Sequence, residues 1–449
     1  MRARGGYPPR PMSAPARPSR SKPVAQDHGP RRRGDEGGGG APRRRVSGPP
    51  RPTLRGPTVR VPMLVARLLR AGHPWVFRSA IRRGPEELAE GEKVAVIDED
   101  GYPVGVGLVE REGAIAVRML GAGIDLQWDP AEMRRRVQAA QALRVGLGAP
   151  AAARLIHGEA DGFPGIAVDR LGDFLLIYKY ARLAETYLDA LVPILAEELM
   201  PEGGGIYMQD RIRSVVPDDR RPPAFHLAGK AAPPEVIVDE DGLKFHVDVT
   251  APVSPGLFLD LREGRRLLEA WAKDRSVLNL FSYTGAFGLR ALRGGARAVT
   301  NVDAAARSHA RCRQNLASSG MEPEACEAVN GDVFKHLERF RQRGRVFDLV
   351  VVDPPPFSNV KGAMFSALRD WGHLVAGIAP VVAPGGLVLA ICNAVRLTEE
   401  EFLLAIAEGA AGAGRRARLI AECGLPPDFP VVPAFIEGRY LKVKLFQLA

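Results

Sequence analysis

The sequence predicts an α/β protein whose C-terminal half is a doubly wound, mostly parallel sheet, preceded by a small β-rich module and an α+β module. Three observations carry this. Between Val277 and Phe357 the chain reads VLNLFSYTGAFGLRAL, then VTNVD, then GDVF, then FDLVVVDPPPF. These apolar runs end in small or acidic residues and are separated by helix-length segments, the alternation of a parallel sheet. The run VFDLVVV is apolar on both faces, as a central strand covered by helices requires.

Composition bounds the rest. The chain has 449 residues, 46% of them hydrophobic, so several domains with full cores are expected. No apolar run approaches the roughly 18 residues needed to cross a membrane, and no signal-peptide pattern is visible. The four cysteines, Cys312, Cys326, Cys392 and Cys423, form no CxxC pair. A reducing, cytoplasmic setting without a structural metal is expected. The net charge is +10, yet residues 1–60 hold fifteen Lys or Arg against three Asp or Glu, and the remaining 389 hold 47 against 49. The excess lies in an Arg-, Pro- and Gly-rich tail, residues 1–58, which is expected to be disordered. It reads either as an electrostatic tether to nucleic acid or as a solubilising extension.

Order is expected from Val59. Residues 59–125 read as one helix and several short strands, punctuated by DEDG, Gly105 and Gly107. HPWVF, residues 73–77, sits at a helix-to-strand junction. Residues 126–235 read as an α+β module, with helices at 130–147 and 182–200 around the strand-rich stretch ARLIHGEADGFPGIAVDRLGDFLLIYKY. VIVDEDGLKFHVDV opens residues 236–449 as a hairpin turning at Asp241-Gly242. The final IEGRYLKVKLFQLA is expected to pair antiparallel at the edge of the last sheet.

The motifs lie where that sheet would end. After the first strand, Gly285 in FSYTGAF is expected to let the backbone approach a ligand at a helix N-terminus. A single Thr-Gly in place of a glycine-rich loop suits a ligand without phosphate, which points to a methyl donor. Asp303 ends the next strand, eighteen residues on, close to where an acid grips ribose hydroxyls; it also suits a helix cap, and both roles can hold. Asp332 follows the third strand, where a carboxylate can accept from an adenine amino group or cap the next helix. Asp353, Pro354 and Pro355 end the fourth strand in a rigid turn at the ligand-binding edge. Phe357 beyond it reads as a stacking platform for a flat substrate or as a packed loop aromatic.

HPWVF, EADGFPGIAVDR, GLFLDLR, NLFSYTGAF, DPP and EGRYLK occur here in the order seen in the large-subunit ribosomal RNA cytosine-C5 methyltransferases that carry a PUA domain. The chain resembles that family over residues 59–449. The resemblance implies a PUA RNA-binding domain at 59–125, a middle domain at 126–235 and a Rossmann-like class I methyltransferase domain at 236–449. It implies S-adenosylmethionine as donor, contacted by Phe258 and Asp260, by Asn279 and the turn Phe281, Ser282, Tyr283, Thr284 and Gly285, by Asp303, by Asp332 with Val333, and by Asp353. The implied partner is large-subunit ribosomal RNA, with neither membrane nor metal.

Cytosine C5 is a poor nucleophile, and such enzymes add a cysteine thiolate to C6 to activate it. The family's cysteine follows the strand after a Gly-Gly turn. Here that segment is GGLVLAICNAV, and the ungapped position falls on Asn393, one residue past Cys392. One residue reverses a side chain's face on a strand, so Cys392 serves as nucleophile only if a bulge turns it back; otherwise it is a buried small hydrophobe. DPPPFSNVKG and the Asn393 position also resemble the guanine-N7 half of a bifunctional large-subunit ribosomal RNA methyltransferase. Guanine N7 carries an in-plane lone pair and needs positioning without a covalent nucleophile. Cytosine C5 is the first expectation and a guanine ring nitrogen the alternative.

RNA binding is expected from local patches, Arg67, Arg70, Arg78, Arg82 and Arg83 in the first module and Arg211 and Arg213 in the second. The target base must leave its stack, and Phe357 with the Asp-Pro-Pro turn is expected to receive it. A reading of another class, a non-catalytic RNA-binding or assembly factor, has no use for the intact FSYTG, Asp303, Asp332 and DPP features. The PUA-like module argues against a small-molecule substrate.

Overall fold

The run FDLVVV forms the strand Phe347–Val352, buried on both faces at the centre of a seven-stranded sheet. The computed structural model describes residues 56–81, 87–212, 221–355, 357–360, 363–366 and 368–449, all within one compact unit. The tail up to residue 55, Arg82, Arg83 and Arg213 lie outside the described residues.

Numbered in chain order, the strands of that sheet are β1 (Ser276–Leu280), β2 (Ala298–Asp303), β3 (Cys326–Asn330), β4 (Phe347–Val352), β5 (Val382–Cys392), β6 (Ala417–Cys423) and β7 (Lys442–Leu448). Their spatial order is β3-β2-β1-β4-β5-β7-β6. The first five are parallel, and β7 runs antiparallel to both its neighbours. The last strand was expected at the edge, but it lies inside the sheet and β6 takes the edge. Burial accounts for this. KVKLFQL is buried at six of seven positions, whereas ARLIAEC has none buried and four exposed, as suits a margin strand.

Two further five-stranded sheets precede this one. The first orders Thr58–Arg60, Lys93–Ile97, Pro103–Val109, Ile115–Gly121 and Trp75–Phe77, with helix Met63–Arg70 packed against it. The second orders Phe225–Gly229, Gly205–Asp210, Phe174–Lys179, Ile166–Leu171 and Ala153–His157. Helices Pro130–Gly146 and Glu185–Glu198 cover it through Val137, Ala140, Leu191 and Leu195. Asp129 caps the first of these helices and Pro130 opens it. The hairpin Val236–Glu240/Leu243–Val247 turns at Asp241-Gly242, both at positive φ, which a two-residue turn of the primed type demands.

HPWVF fastens the sheets together. The Trp75 indole donates to Glu159 at 2.9 Å and packs edge-on against Phe435 at 4.5 Å, while His73 lies 3.4 Å from Glu437. Glu240 accepts from Arg265 and Arg290, and Arg262 pairs with Asp428, all buried.

Candidate active site

Strands β1 and β4 are neighbours where the strand order reverses, and their carboxyl ends open on one cavity of about 470 Å³. Ligands of doubly wound sheets bind at this place, and the volume lies in the usual range for a small-molecule pocket. In the turn after β1, Phe281 and Tyr283 adopt left-handed φ of 57° and 46°. Such strain costs about 1–3 kcal/mol per residue and collects at ligand sites. The turn is held on each side. Tyr283 N–H donates to Asp303 Oδ2 at 2.8 Å, and Thr284 Oγ1 donates to the Gly256 carbonyl at 2.7 Å. The Asp303 carboxylate also accepts from Ala305 N–H at 2.8 Å, ahead of helix Ala306–Ser318. An ionised carboxylate has about four acceptor sites, so two backbone bonds leave room for a diol.

The cavity wall brings together Phe258, Asp260, Phe281, Ser282, Tyr283, Thr284, Asp303, Asp332, Val333, Asp353, Pro354, Pro355 and Asn393 from the sequence-predicted set. Two expected contacts lie elsewhere. Asn279 is buried beneath the turn, donating to Asn301 Oδ1 at 2.9 Å. Gly285 does not open onto the cavity: its φ is 77°, and a Cβ there would meet Cys312 Sγ at 2.2 Å, so packing behind the turn requires the glycine. Gly256, Leu261, Arg265, Phe287, Phe334 and Leu441 also stand in the wall and were not singled out as site residues from sequence. The PGLFLDLR run, which holds Gly256 and Leu261, was the available signal for those two.

Asp332 caps helix Val333–Gln342, accepting from Lys335 N–H at 2.9 Å, and still lines the cavity. Across from it, burial raises the Asp353 carboxyl to about 7; the charge of Asp260 pushes the same way and Arg265 opposes. Asp260 accepts from the Tyr440 hydroxyl at 2.8 Å. Lys442 donates to the carbonyls of Ala394 and Tyr440 at 3.1 and 3.2 Å, joining the segment after β5 to the start of β7. The late EGRYLK motif therefore positions Asp260 and Asn393.

Strand β5 pairs with β7 in unbroken register from Leu387 to Cys392. No bulge turns Cys392. It is 2% exposed and packs in the cluster that holds Trp371 and Phe402, and burial raises its thiol above the ordinary value. A buried, protonated thiol is inert. Asn393 is exposed and lines the cavity. The side chain of Phe357 lies outside the described residues.

The arginines of the first module divide. Arg70 pairs with buried Asp98 at 2.8 Å, and Arg78 donates to the carbonyls of Glu110, Gly113 and Ile115, so both hold the sheet together. Arg67 lies on the outer face of its helix, exposed. Among the described residues, no group of three His, Cys, Asp or Glu is arranged to hold a metal, and no helix is long and apolar enough to cross a membrane.

The model of the S-adenosylmethionine-dependent methyltransferases matches residues 154–447. The chain belongs to that family. A PUA-like domain matches residues 59–121, the first sheet. The ribosomal RNA large subunit methyltransferase I of Shewanella denitrificans is 34% identical over 381 residues, covering 84% of this chain and 95% of that one. Its namesake in Klebsiella pneumoniae is 32% identical over 378 residues, covering 82% and 93%. Among solved structures, a methyltransferase complexed with SAH matches 87% of this chain and 100% of its own at a TM-score of 0.78 and 24% identity. A SAM-dependent methyltransferase from Streptococcus mutans gives 0.77 and 23% over the same shares. This methyltransferase therefore has the class I fold behind a PUA-like domain, and S-adenosylmethionine is its methyl donor.

Proposed function

We propose that this methyltransferase modifies a base of large-subunit ribosomal RNA. The observation that carries the reading is the end-to-end likeness to the large-subunit methyltransferases I, which spans 95% of the Shewanella enzyme and so includes both the PUA-like sheet and the donor cavity. Residues 59–125 act as the RNA-binding module, 126–235 as the middle domain and 236–449 as the catalytic domain. A ribosomal substrate places the enzyme in the cytoplasm.

The residues present suit the donor. Asp303 has acceptor capacity for two ribose hydroxyls, Asp332 for an amino group, and Phe334 and Val333 offer apolar wall for a purine. S-adenosylmethionine supplies a methyl group on a positively charged sulfur. Asp260, Asp353, Pro354, Pro355 and Asn393 line the same cavity.

For the target atom, the resemblance over residues 59–449 assigns cytosine C5. That route needs a thiolate at C6, so Cys392 would have to turn from the core to the cavity. A second reading, a guanine ring nitrogen, is favoured by one observation: Asn393, and not Cys392, faces the cavity. An in-plane lone pair needs only orientation and an electrostatic environment. The test is transfer of labelled methyl from S-adenosylmethionine to large-subunit RNA from cells lacking the gene, followed by nucleoside analysis. Label in 5-methylcytidine supports the first atom and label in 7-methylguanosine the second; no label in RNA refutes the proposal.

A further inference from the structure

A second cavity, of about 690 Å³, adjoins the donor cavity and shares Leu257, Phe258, Asp260 and Asn393 with it. Its other wall belongs to the middle sheet, whose residues have so far had no place in the chemistry. Arg154 and Asp169 form a buried ion pair there, with the Arg154 guanidinium 4.5 Å over the Phe429 ring. These two are engaged with each other and make the rigid floor.

Two neighbours are not so engaged. Tyr180 follows strand Phe174–Lys179 and shares a strand face with Tyr178; their rings lie 6.3 Å apart and 19° from parallel. Tyr180 is 48% exposed, yet desolvation raises its phenol above the ordinary value. A ring open to water but surrounded by protein lies in a cleft. Arg211 follows strand Gly205–Asp210, and its guanidinium lies 5.6 Å from the Tyr178 ring. Among the described residues no carboxylate pairs with it. Phe258, 46% exposed, stands where the two cavities meet. An aromatic platform, an unpaired arginine and a second aromatic beside the donor make a receptor for a flat anionic unit.

We propose that this second cavity receives the everted nucleotide, with Tyr180 stacking on the base and Arg211 holding a phosphate beside it. The inference rests on the reading that the substrate is RNA. It assigns the middle sheet a direct part in substrate binding. Aromatic stacking is indifferent to base identity, so Tyr180 and Arg211 position the nucleotide, while Asn393, Asp260 and Asp353 face the reacting edge.

The test compares wild type, Tyr180→Ala, Tyr180→Phe and Arg211→Ala on large-subunit RNA from cells lacking the gene, with SAH affinity measured by calorimetry on each. Tyr180→Ala is expected to lower kcat/KM roughly tenfold to a hundredfold at unchanged SAH affinity, and Tyr180→Phe to retain most of it. Arg211→Ala is expected to raise KM and to reduce the slope of log KM against log salt by about one; it gives an independent answer if Tyr180→Ala does not fold. Wild-type kcat/KM in both alanine variants overturns the inference while leaving RNA methylation intact. Absence of transfer by the wild type overturns that broader reading, and this inference with it.

Discussion

Cys392 and Asn393 are chain neighbours that face opposite surroundings: the thiol packs in the core with Trp371, and the asparagine stands in the wall shared by the two cavities. The alternation of side chains at the end of β5 produces this, and the unbroken register with β7 fixes it. On the ring-nitrogen reading, Cys392→Ala is expected to keep methyl transfer close to wild type, at about 1 kcal/mol of stability; on the cytosine C5 reading it abolishes transfer. Asn393→Ala is expected to lose transfer while still binding SAH. Single-turnover assays with calorimetry on both variants check this. Loss of transfer in Cys392→Ala with SAH binding intact would support cytosine C5 and contradict the ring-nitrogen reading.

Asp303 joins the turn after β1 to the helix after β2 through two backbone bonds of 2.8 Å. Charge-assisted bonds of this kind contribute about 1.5–3 kcal/mol each. Asp303→Ala is expected to weaken SAH binding by at least about tenfold, and Asp303→Asn by less, since its oxygen still accepts one bond. Calorimetric affinity equal to wild type in Asp303→Ala would remove this residue from the donor site.

The raised Asp353 carboxyl gives a pH signature of known sign. With a pKa of about 7, it gains its charge as pH rises from 6 to 8. If the carboxylate is the working form, kcat/KM climbs over that range, and Asp353→Asn removes the climb and about a hundredfold or more of the rate. Stability moves the other way. The folded state holds the proton from the ordinary value of 3.8 up to about 7, so folding stability falls with rising pH across that window. Asp353→Asn should then be the more stable protein at pH 8, by at most about 4 kcal/mol, with little difference at pH 4. Chemical melts at both pH values decide it; a variant less stable at pH 8 contradicts the assignment.

Glu240 sits between Arg265 and Arg290, each bonded to it at 2.8 Å. Burial disfavours its charge, but the two guanidinium groups outweigh burial and lower it to about 2. Its contribution is therefore present above the ordinary value of 4.5 and is lost as pH falls towards 2. Glu240→Gln leaves buried arginine charge uncompensated and is expected to cost about 3–5 kcal/mol. Urea melts from pH 3 to 7 should show the wild-type acid slope flattened in the variant.

What sequence could and could not reveal divides by the range of the interaction. Strands β1 and β4 were legible because a parallel strand buried on both faces is written as an unbroken apolar run. Asp303, Asp332 and Asp353 were legible because strand ends are local features. The facing of Cys392 and Asn393 depended on whether β5 carried a bulge, which only its pairing with β7 decides. The hydrogen bond from Tyr440 to Asp260 spans 180 residues and leaves no local mark. The strain at Phe281 and Tyr283 is equally silent, since neither residue type advertises positive φ. The packing of Gly285 against Cys312 leaves no local mark either. The second cavity was invisible because segments far apart in the chain, from Trp75 to Tyr440, build it together.

The most direct test is nucleoside mass spectrometry of large-subunit ribosomal RNA from cells with and without the gene. One methylated nucleoside is expected to vanish with the gene and to return with the wild-type copy, but not with Asp303→Ala. An identical set of methylated nucleosides in both strains would contradict the account.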